Sequence, residues 1–190
     1  MTADTERPSN DISHFTELAG PASELHWSAD FVMQAIEVLP VMLKDGRIMS
    51  LRPQHADSFV VGWPAGDKPE VVTARTIEWL GLTPVVLHST SWRHSGSEVV
   101  LTYLVVVAPT DTLPESWMAT PVGHVELARG DTTTPPPTIA VDQVLEHVLR
   151  HLTWLLHDDE IIARALSEWP PHLADYVPEP FRALGGPPGV

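Results

Sequence analysis

Apolar and polar residues along the first half of the chain follow the short periods that are typical of β-strands. Segments 31–44 and 47–52 flank Asp45-Gly46, a dipeptide suited to the positive φ angles of a two-residue turn. They predict a β-hairpin with Ile48 and Ser50 on one face. Pro40 cannot donate to a strand ladder, so it predicts a sheet edge or a bulge. Further strands are predicted at 58–63, 84–92, 98–108 and 123–129.

Helical periodicity separates and follows these strands. Segment 69–80 predicts a helix that has Asp67 as its N-cap and ends at Gly81. Its apolar residues lie on almost every side of the helix, which predicts that other parts of the protein cover the helix on most sides. The strongest helix spans 141–156, and its core stripe consists of Val141, Val144, Leu145, Val148, Leu152 and Leu155. Shorter helical stretches are predicted at 11–19 and 159–169.

The 190 residues suit one domain of ordinary size. Residues 1–10 lack apolar anchors and predict a mobile N-terminal tail. Residues 11–169 then form a single domain, and the proline-rich segment 170–190 is expected to be a C-terminal tail on the surface or disordered.

Charge and composition narrow the function classes. The chain has 11 Lys and Arg against 25 Asp and Glu, a formal net charge of −14. That field repels phosphate backbones and anionic lipid, so we expect neither nucleic acid nor a membrane as a partner. The absence of cysteine excludes disulfides, thiolate metal sites and cysteine nucleophiles. With no secretory leader and no long apolar run, the chain is expected to be soluble and cytoplasmic.

Three sequence stretches within 35–82 resemble a Nudix domain. AIEVLPVMLKDGRIMSLR resembles the family's opening hairpin, GWPAGDKPE resembles its W-x-x-PGG loop, and TARTIEWLGL resembles the helix of the Nudix signature. TYLVVVA resembles the strand that follows this helix. The resemblance implies an α/β (α+β) fold, namely a Nudix-like α/β/α sandwich with a mixed sheet.

The signature itself is degenerate and shortened. Its helix, written REUxEExGU, is matched only at Glu78, Gly81 and Leu82; its arginine and two of its glutamates are replaced by Ala74, Arg75 and Trp79. Gly66 lies six residues closer to Gly81 than the signature requires. Because Mg²⁺ needs several carboxylate oxygens, the resemblance implies a protein without the standard metal-binding box. We therefore expect no cofactor and no standard Nudix hydrolysis.

A ligand site is predicted near the loop and the second hairpin. Arg93 and His94 could hold an anionic ligand, and Trp92 could stack on a planar ring. With Trp63, Gly66 and Arg75 beside the loop and the helix, these residues would bind a small nucleotide-like or other anionic ligand. The structural alternative is a polar strand face and turn, with the tryptophans filling the core.

Two sets of side chains are candidates for a metal. In the first, Asp67, Glu70 and Glu78 would hold Mg²⁺ in a divergent pyrophosphohydrolase, with Glu78 as the catalytic candidate. Helix capping, complementarity to the helix dipole and an ion pair between Glu78 and Arg75 explain the same residues structurally.

In the second set, His147 and His151 have the i, i+4 spacing of a zinc site, although HVLRH lacks the glutamate of H-E-x-x-H. Lining a pocket, or packing at the border of the core, explains these two histidines equally.

Three functions remain open. The leading hypothesis is a Nudix-like domain that binds a small ligand or a protein partner without pyrophosphate hydrolysis. The alternatives are the divergent Mg²⁺-dependent pyrophosphohydrolase and a homodimeric structural or interaction subunit, in which the late helix and the C-terminal tail make the contact.

Overall fold

The computed structural model describes residues 33–64, 66–95, 98–127 and 139–178. The predicted tail 1–10 and helix 11–19 lie outside this description. The described chain contains the strands β1 (Met33–Lys44), β2 (Arg47–Pro53), β3 (Phe59–Gly62), β4 (Pro84–Ser95), β5 (Glu98–Val107) and β6 (Trp117–Pro121). Its helices are α1 (Pro69–Trp79), α2 (Val141–Asp158) and α3 (Glu160–Ala165), followed by a 3₁₀ turn at Pro170–His172.

Strand β1 is the centre of one mixed sheet with the order β4-β5-β1-β2-β6. It runs parallel to β5 on one side. On the other side it runs antiparallel to β3, which pairs with its first half, and to β2, which pairs with its second half. Pro40 pairs with Val105 of β5 and lies in the gap between the β3 and β2 ladders. On this side of β1 Pro40 therefore stands at a local edge within a central strand, and the change of partner strand accommodates a residue without an N–H.

The predicted opening hairpin is confirmed. Asp45 and Gly46 both have positive φ angles, 51° and 71°, and Lys44 pairs with Arg47 across the turn. The second hairpin differs from the prediction because β4 continues to Ser95. Arg93 is therefore a strand residue rather than part of a turn.

The last strand lies earlier in the chain than predicted. Segment 123–127 has no regular structure, whereas Trp117–Pro121 pairs antiparallel with β2. Pro121 pairs with Met49, and the Val122 N–H donates to the Ile48 carbonyl. Strand β2 begins only one residue before Ile48, so residues 123–127 have no more of this strand to pair with. The sequence did not predict this strand, because Trp117–Pro121 is short and begins directly after a turn.

The two faces of the sheet carry separate cores. Leu39, Val41 and Leu104 pack against α2, whereas Ile36 and Val38 pack in the core that contains Ile77 of α1. This alternation follows from the two-residue period of the strands. The predicted α/β/α sandwich with a mixed sheet is confirmed. The hairpin, the helix and the parallel strand occur in the order that the Nudix resemblance implies.

Helix α1 lies against the sheet on one side only. Its N-cap is Lys68 rather than the predicted Asp67, and Pro69 occupies its first turn. Only Thr73 and Ile77 are fully buried, and Trp79 is 58% exposed. The expectation that α1 is covered on most sides is therefore wrong: Val72 and Leu80 are partly buried against the core that contains Ile77, whereas Val71 and Trp79 face solvent.

The C-terminus of α1 is fixed as predicted by Gly81. This residue has a φ of 73°, and its N–H donates to the Glu78 carbonyl. The N–H of Leu82 donates to the carbonyl of Ile77, and both side chains belong to the same core. These two bonds and the apolar contact define a Schellman motif.

Helix α2 buries the predicted stripe, except that Val141 is only partly covered. A separate helix, α3, begins where Asp159 accepts from the N–H groups of Ile161 and Ile162. Beyond residue 169, Leu173 and Tyr176 are buried in the same core as α2, so the packed region extends past the expected start of the tail. No helix in the described ranges is both long and apolar enough to cross a membrane.

Candidate functional site

Trp63 closes the loop between β3 and α1. Its indole N–H donates to the carbonyl of Asp67 at 2.7 Å, and its ring packs at the border of the α1-side core. Gly66, within this loop, has a φ of 90°, which favours glycine. The shortened loop is therefore a tight turn that holds the indole of Trp63 in place.

Trp92 lies on the same side of the sheet as Trp63. It pairs with Leu101, whose side chain packs at the edge of the α1-side core, and it is 65% exposed. Strands β3, β1, β5 and β4 are neighbours in that order, so Trp63 and Trp92 are separated by three strand spacings, about 14 Å. The backbone of His94 pairs with Val99 two residues further along β4. The two tryptophans thus flank one end of the α1 face.

Arg93 lies on the opposite face and is engaged by a buried carboxylate. Its two terminal nitrogens donate to Glu37 Oε2 at 2.6 Å and Oε1 at 2.9 Å, and the Thr102 hydroxyl donates to Oε2 at 3.1 Å. Glu37 is only 1% exposed. Arg93 and Trp63 are predicted to surround one ligand, but the sheet lies between them. Glu37 is not among the predicted site residues, although a carboxylate inside an apolar strand is itself the signal of a buried partner.

The acidic residues proposed for Mg²⁺ do not converge. Asp67, Glu70 and Glu78 are all exposed, and Glu70 and Glu78 are eight residues apart on α1, a rise of about 12 Å. Throughout the described ranges, no three His, Asp or Glu side chains are grouped so that they could hold a metal ion. Arg75, also exposed, stands at a position where the family signature has a glutamate. The residues present therefore do not fit the Mg²⁺ that the Nudix resemblance implies.

A histidine pair lies between β4 and α2. The Nε2 atoms of His88 and His151 are 3.0 Å apart, so one ring donates its N–H to the other. Burial lowers the pKa of both histidines. His88 and then His147 lower the pKa of His151 further, whereas Asp159 partly opposes the shift at His88. Trp154 lies beside His151, with ring centroids 5.4 Å apart. The sequence singled out His147 and His151, but the direct partner of His151 is His88.

A second buried carboxylate belongs to α2. Glu146 is 1% exposed and accepts from Arg150 Nε at 2.7 Å, and His124 Nδ1 lies 3.3 Å from its other oxygen. Burial, together with the charges of Glu146 and Asp175, raises the pKa of Tyr176 to about 12. The helical pattern gave no sign of Glu146, because acidic residues on helices usually face solvent.

No protein-family model matches the chain, and no curated protein sequence matches it. Solved structures do show similarity. The chain is similar to C. elegans Ap4A hydrolase, with 17% identity over 48% of this chain and 81% of that one and a TM-score of 0.38. It is also similar to the E. coli ORF135 protein, with 14% identity over 50% of this chain and 72% of that one and a TM-score of 0.27. Likeness at this level transfers neither an activity nor a ligand.

Proposed function

We propose that the chain is a Nudix-like binding module that holds a small nucleotide-like or other anionic ligand and does not hydrolyse pyrophosphate. The observation that carries this proposal is the dispersal of the carboxylates on and before α1, where Asp67, Glu70 and Glu78 are exposed and ungrouped. Hydrolysis of a diphosphate needs a metal to stabilise the charge that develops on the leaving phosphate. A fold that keeps the helix but scatters the oxygen donors can bind such a ligand without cleaving it.

Aromatic residues on the α1 face support the binding half of the proposal. The loop holds the indole of Trp63, and Trp92 presents much of its ring to solvent on the same side of the sheet. Aromatic side chains stack on planar bases at little entropic cost. Arg75 is exposed on α1 and supplies a cation for a phosphate group. Arg93 does not join this set, because its charge is balanced by Glu37 on the other face.

Calorimetry with ADP as the probe tests the binding half. We expect binding that is equally strong in EDTA and in Mg²⁺. The variant Trp92→Ala should weaken it about fivefold or more, as expected for the loss of one stacked base. Trp154→Ala is the matched control, because Trp154 is also exposed (40%) but lies on α2, on the opposite side of the sheet. Equal effects of the two substitutions would reject the α1 face as the site.

Phosphorus NMR on the same samples tests the second claim, that the chain does not hydrolyse pyrophosphate. We expect ADP to persist unchanged in millimolar Mg²⁺ or Mn²⁺. Metal-dependent release of AMP and phosphate that is lost in Glu78→Gln would establish the divergent hydrolase instead.

A further inference from the structure

The histidine pair between β4 and α2 has the spacing of two ligands of one metal ion. The Nε2 atoms of His88 and His151 are 3.0 Å apart and the ring centroids 5.0 Å apart, so the two nitrogens lie on facing edges of the rings. Transition metals bind imidazole nitrogen at about 2.0 Å. Two bonds of that length to atoms 3.0 Å apart enclose an angle of about 97°. This angle lies between the roughly 90° of a square-planar site and the roughly 109° of a tetrahedral one.

Both histidines are carried by well-packed elements. His88 pairs with Leu104 in the ladder between β4 and β5, and His151 precedes Leu152 in α2. Leu104 and Leu152 are fully buried and belong to the same core. Ligands on a strand and a helix are held more precisely than ligands on loops. The distance between the two nitrogens is therefore set by the fold before any ion binds.

The pair lies at the border of that core, where an ion can arrive from solvent. His88 and His151 are both partly exposed. On α2, His147 precedes His151 by one turn and Trp154 follows it by three residues, so both lie on the same side of the helix as His151. Both of these neighbours are exposed. The side of α2 that carries His151 therefore opens to solvent.

The charges around the pair favour a cation. Asp159 lies close enough to His88 to act on it electrostatically, and the whole chain carries a net charge of −14. Arg150, the cation next to His151 in sequence, is engaged by Glu146. Imidazole nitrogen suits Zn²⁺, Cu²⁺ and Ni²⁺, whereas Mg²⁺ and Ca²⁺ take oxygen ligands. The pair therefore selects a transition metal.

We propose that His88 and His151 together bind one divalent transition-metal ion, such as Zn²⁺ or Cu²⁺, through their Nε2 atoms. The ring that donates its Nε2 proton to the other changes tautomer: that proton moves through solvent to its own Nδ1, and both Nε2 lone pairs then point to the ion. No third His, Asp or Glu is grouped with the pair in the ranges that the structure describes. Water or an exchangeable ligand completes the coordination.

This site is independent of the proposed function. It shares no residue with the ligand site on the α1 face, and it lies on the α2 side of the sheet. Binding of a metal here would supply nothing to hydrolysis of a ligand at Trp63 and Trp92.

Electron paramagnetic resonance with about one equivalent of Cu²⁺ tests the proposal. We expect nitrogen couplings from two imidazole ligands. His88→Gln and His151→Gln should each weaken Cu²⁺ binding about tenfold or more, since loss of a residue that merely supports a ligand already costs 10–100-fold. His157→Gln is the matched control, because His157 is exposed on the same helix and its Nδ1 lies 2.7 Å from the Thr153 carbonyl oxygen instead.

Long-range proton–nitrogen NMR of the unmutated chain gives a test that needs no variant to fold. Zn²⁺ should shift the Nε2 resonances of His88 and His151, and excess Mg²⁺ should leave them unchanged. The proposal is overturned if Zn²⁺ shifts only others of the 10 histidines, if Mg²⁺ shifts the pair equally, or if the two substitutions affect Cu²⁺ binding no more than His157→Gln does. None of these results bears on ADP binding at the α1 face.

Discussion

Arg93 and Glu37 form a bidentate ion pair on the α2 face of the sheet, with 2.6 and 2.9 Å between their paired atoms. Thr102 bonds to both partners, so the carboxylate is satisfied even though it is 1% exposed. The pair joins β1 to β4 across β5, three adjacent strands of the sheet. It therefore fixes the relative positions of these strands as well as neutralising a buried charge.

Arg93→Ala should lower the free energy of unfolding by about 3–5 kcal/mol, because it leaves the Glu37 carboxylate buried without its partner. The double variant Arg93→Met, Glu37→Met removes both charges and should recover most of the loss. Urea denaturation measures the free energy of unfolding of the single and the double variant. Asp111→Asn is the control, since it breaks an ion pair with Lys44 whose carboxylate is 95% exposed, and the midpoint should hardly move. A small effect of Arg93→Ala would show that Glu37 is not dependent on it.

Stability should fall as the pH is lowered through about 6.5, the usual histidine pKa. Burial lowers the folded-state pKa of His88 and His151, so the unfolded chain binds protons first. The contribution of this pair to the free energy of unfolding is complete above the histidine pKa of the unfolded chain. It is lost as the pH falls from that value to the lower pKa values of the folded state. Urea denaturation at a series of pH values measures the slope. His151→Gln should flatten it, whereas His55→Gln, a change at an exposed turn residue, should leave the slope as it is.

Gly81→Ala should destabilise the protein by about 1–2 kcal/mol, because alanine resists the left-handed φ of 73°. A Cβ at position 81 would meet no atom within 4 Å, so the expected loss comes from the backbone alone. Gly62→Ala offers a matched comparison: it is equally free of contacts and has no positive φ. Equal urea midpoints for the two variants would contradict the Schellman assignment.

Tyr176 should ionise near pH 12, about two units above a free tyrosine, in an absorbance titration of the phenolates. Burial is the largest cause and the charge of Glu146 the next, so Glu146→Gln should lower the pKa only part of the way. Because the folded state keeps the phenol protonated, stability should fall as the pH rises above 10. A Tyr176 that titrates near pH 10, as a free tyrosine does, would show that it is not buried against α2.

The sequence predicted those parts of the fold that local pattern determines. The Asp45-Gly46 hairpin, the buried stripe of α2 and the Gly81 terminus each depend on residues close together in the chain, and all are confirmed. It failed at β6, because the segment that pairs with the edge of β2 is set by contacts between distant parts of the chain.

For the candidate site, too, the sequence predicted local features but not the contacts between distant residues. The sequence singled out Trp63, Trp92, Arg93 and His151 as residues with chemistry. It did not place Arg93 on the opposite face from Trp92, because it assigned Arg93 to the turn after the strand; in β4 the two are adjacent strand residues, which point to opposite faces. Nor could it pair Arg93 with Glu37 or His151 with His88, because these partners are 56 and 63 residues apart. Their roles in binding stay predictions.

The parallel pairing of β1 with β5 has a consequence for the nascent chain. Glu37 and Thr102, which bond to each other in the finished sheet, are 65 residues apart in sequence. While the ribosome is still making α1 and β4, β1 can pair only with β2 and β3, and its other edge stays open. The central strand is thus completed late during synthesis, and until β5 emerges that bare edge is where a neighbouring chain or a chaperone would attach.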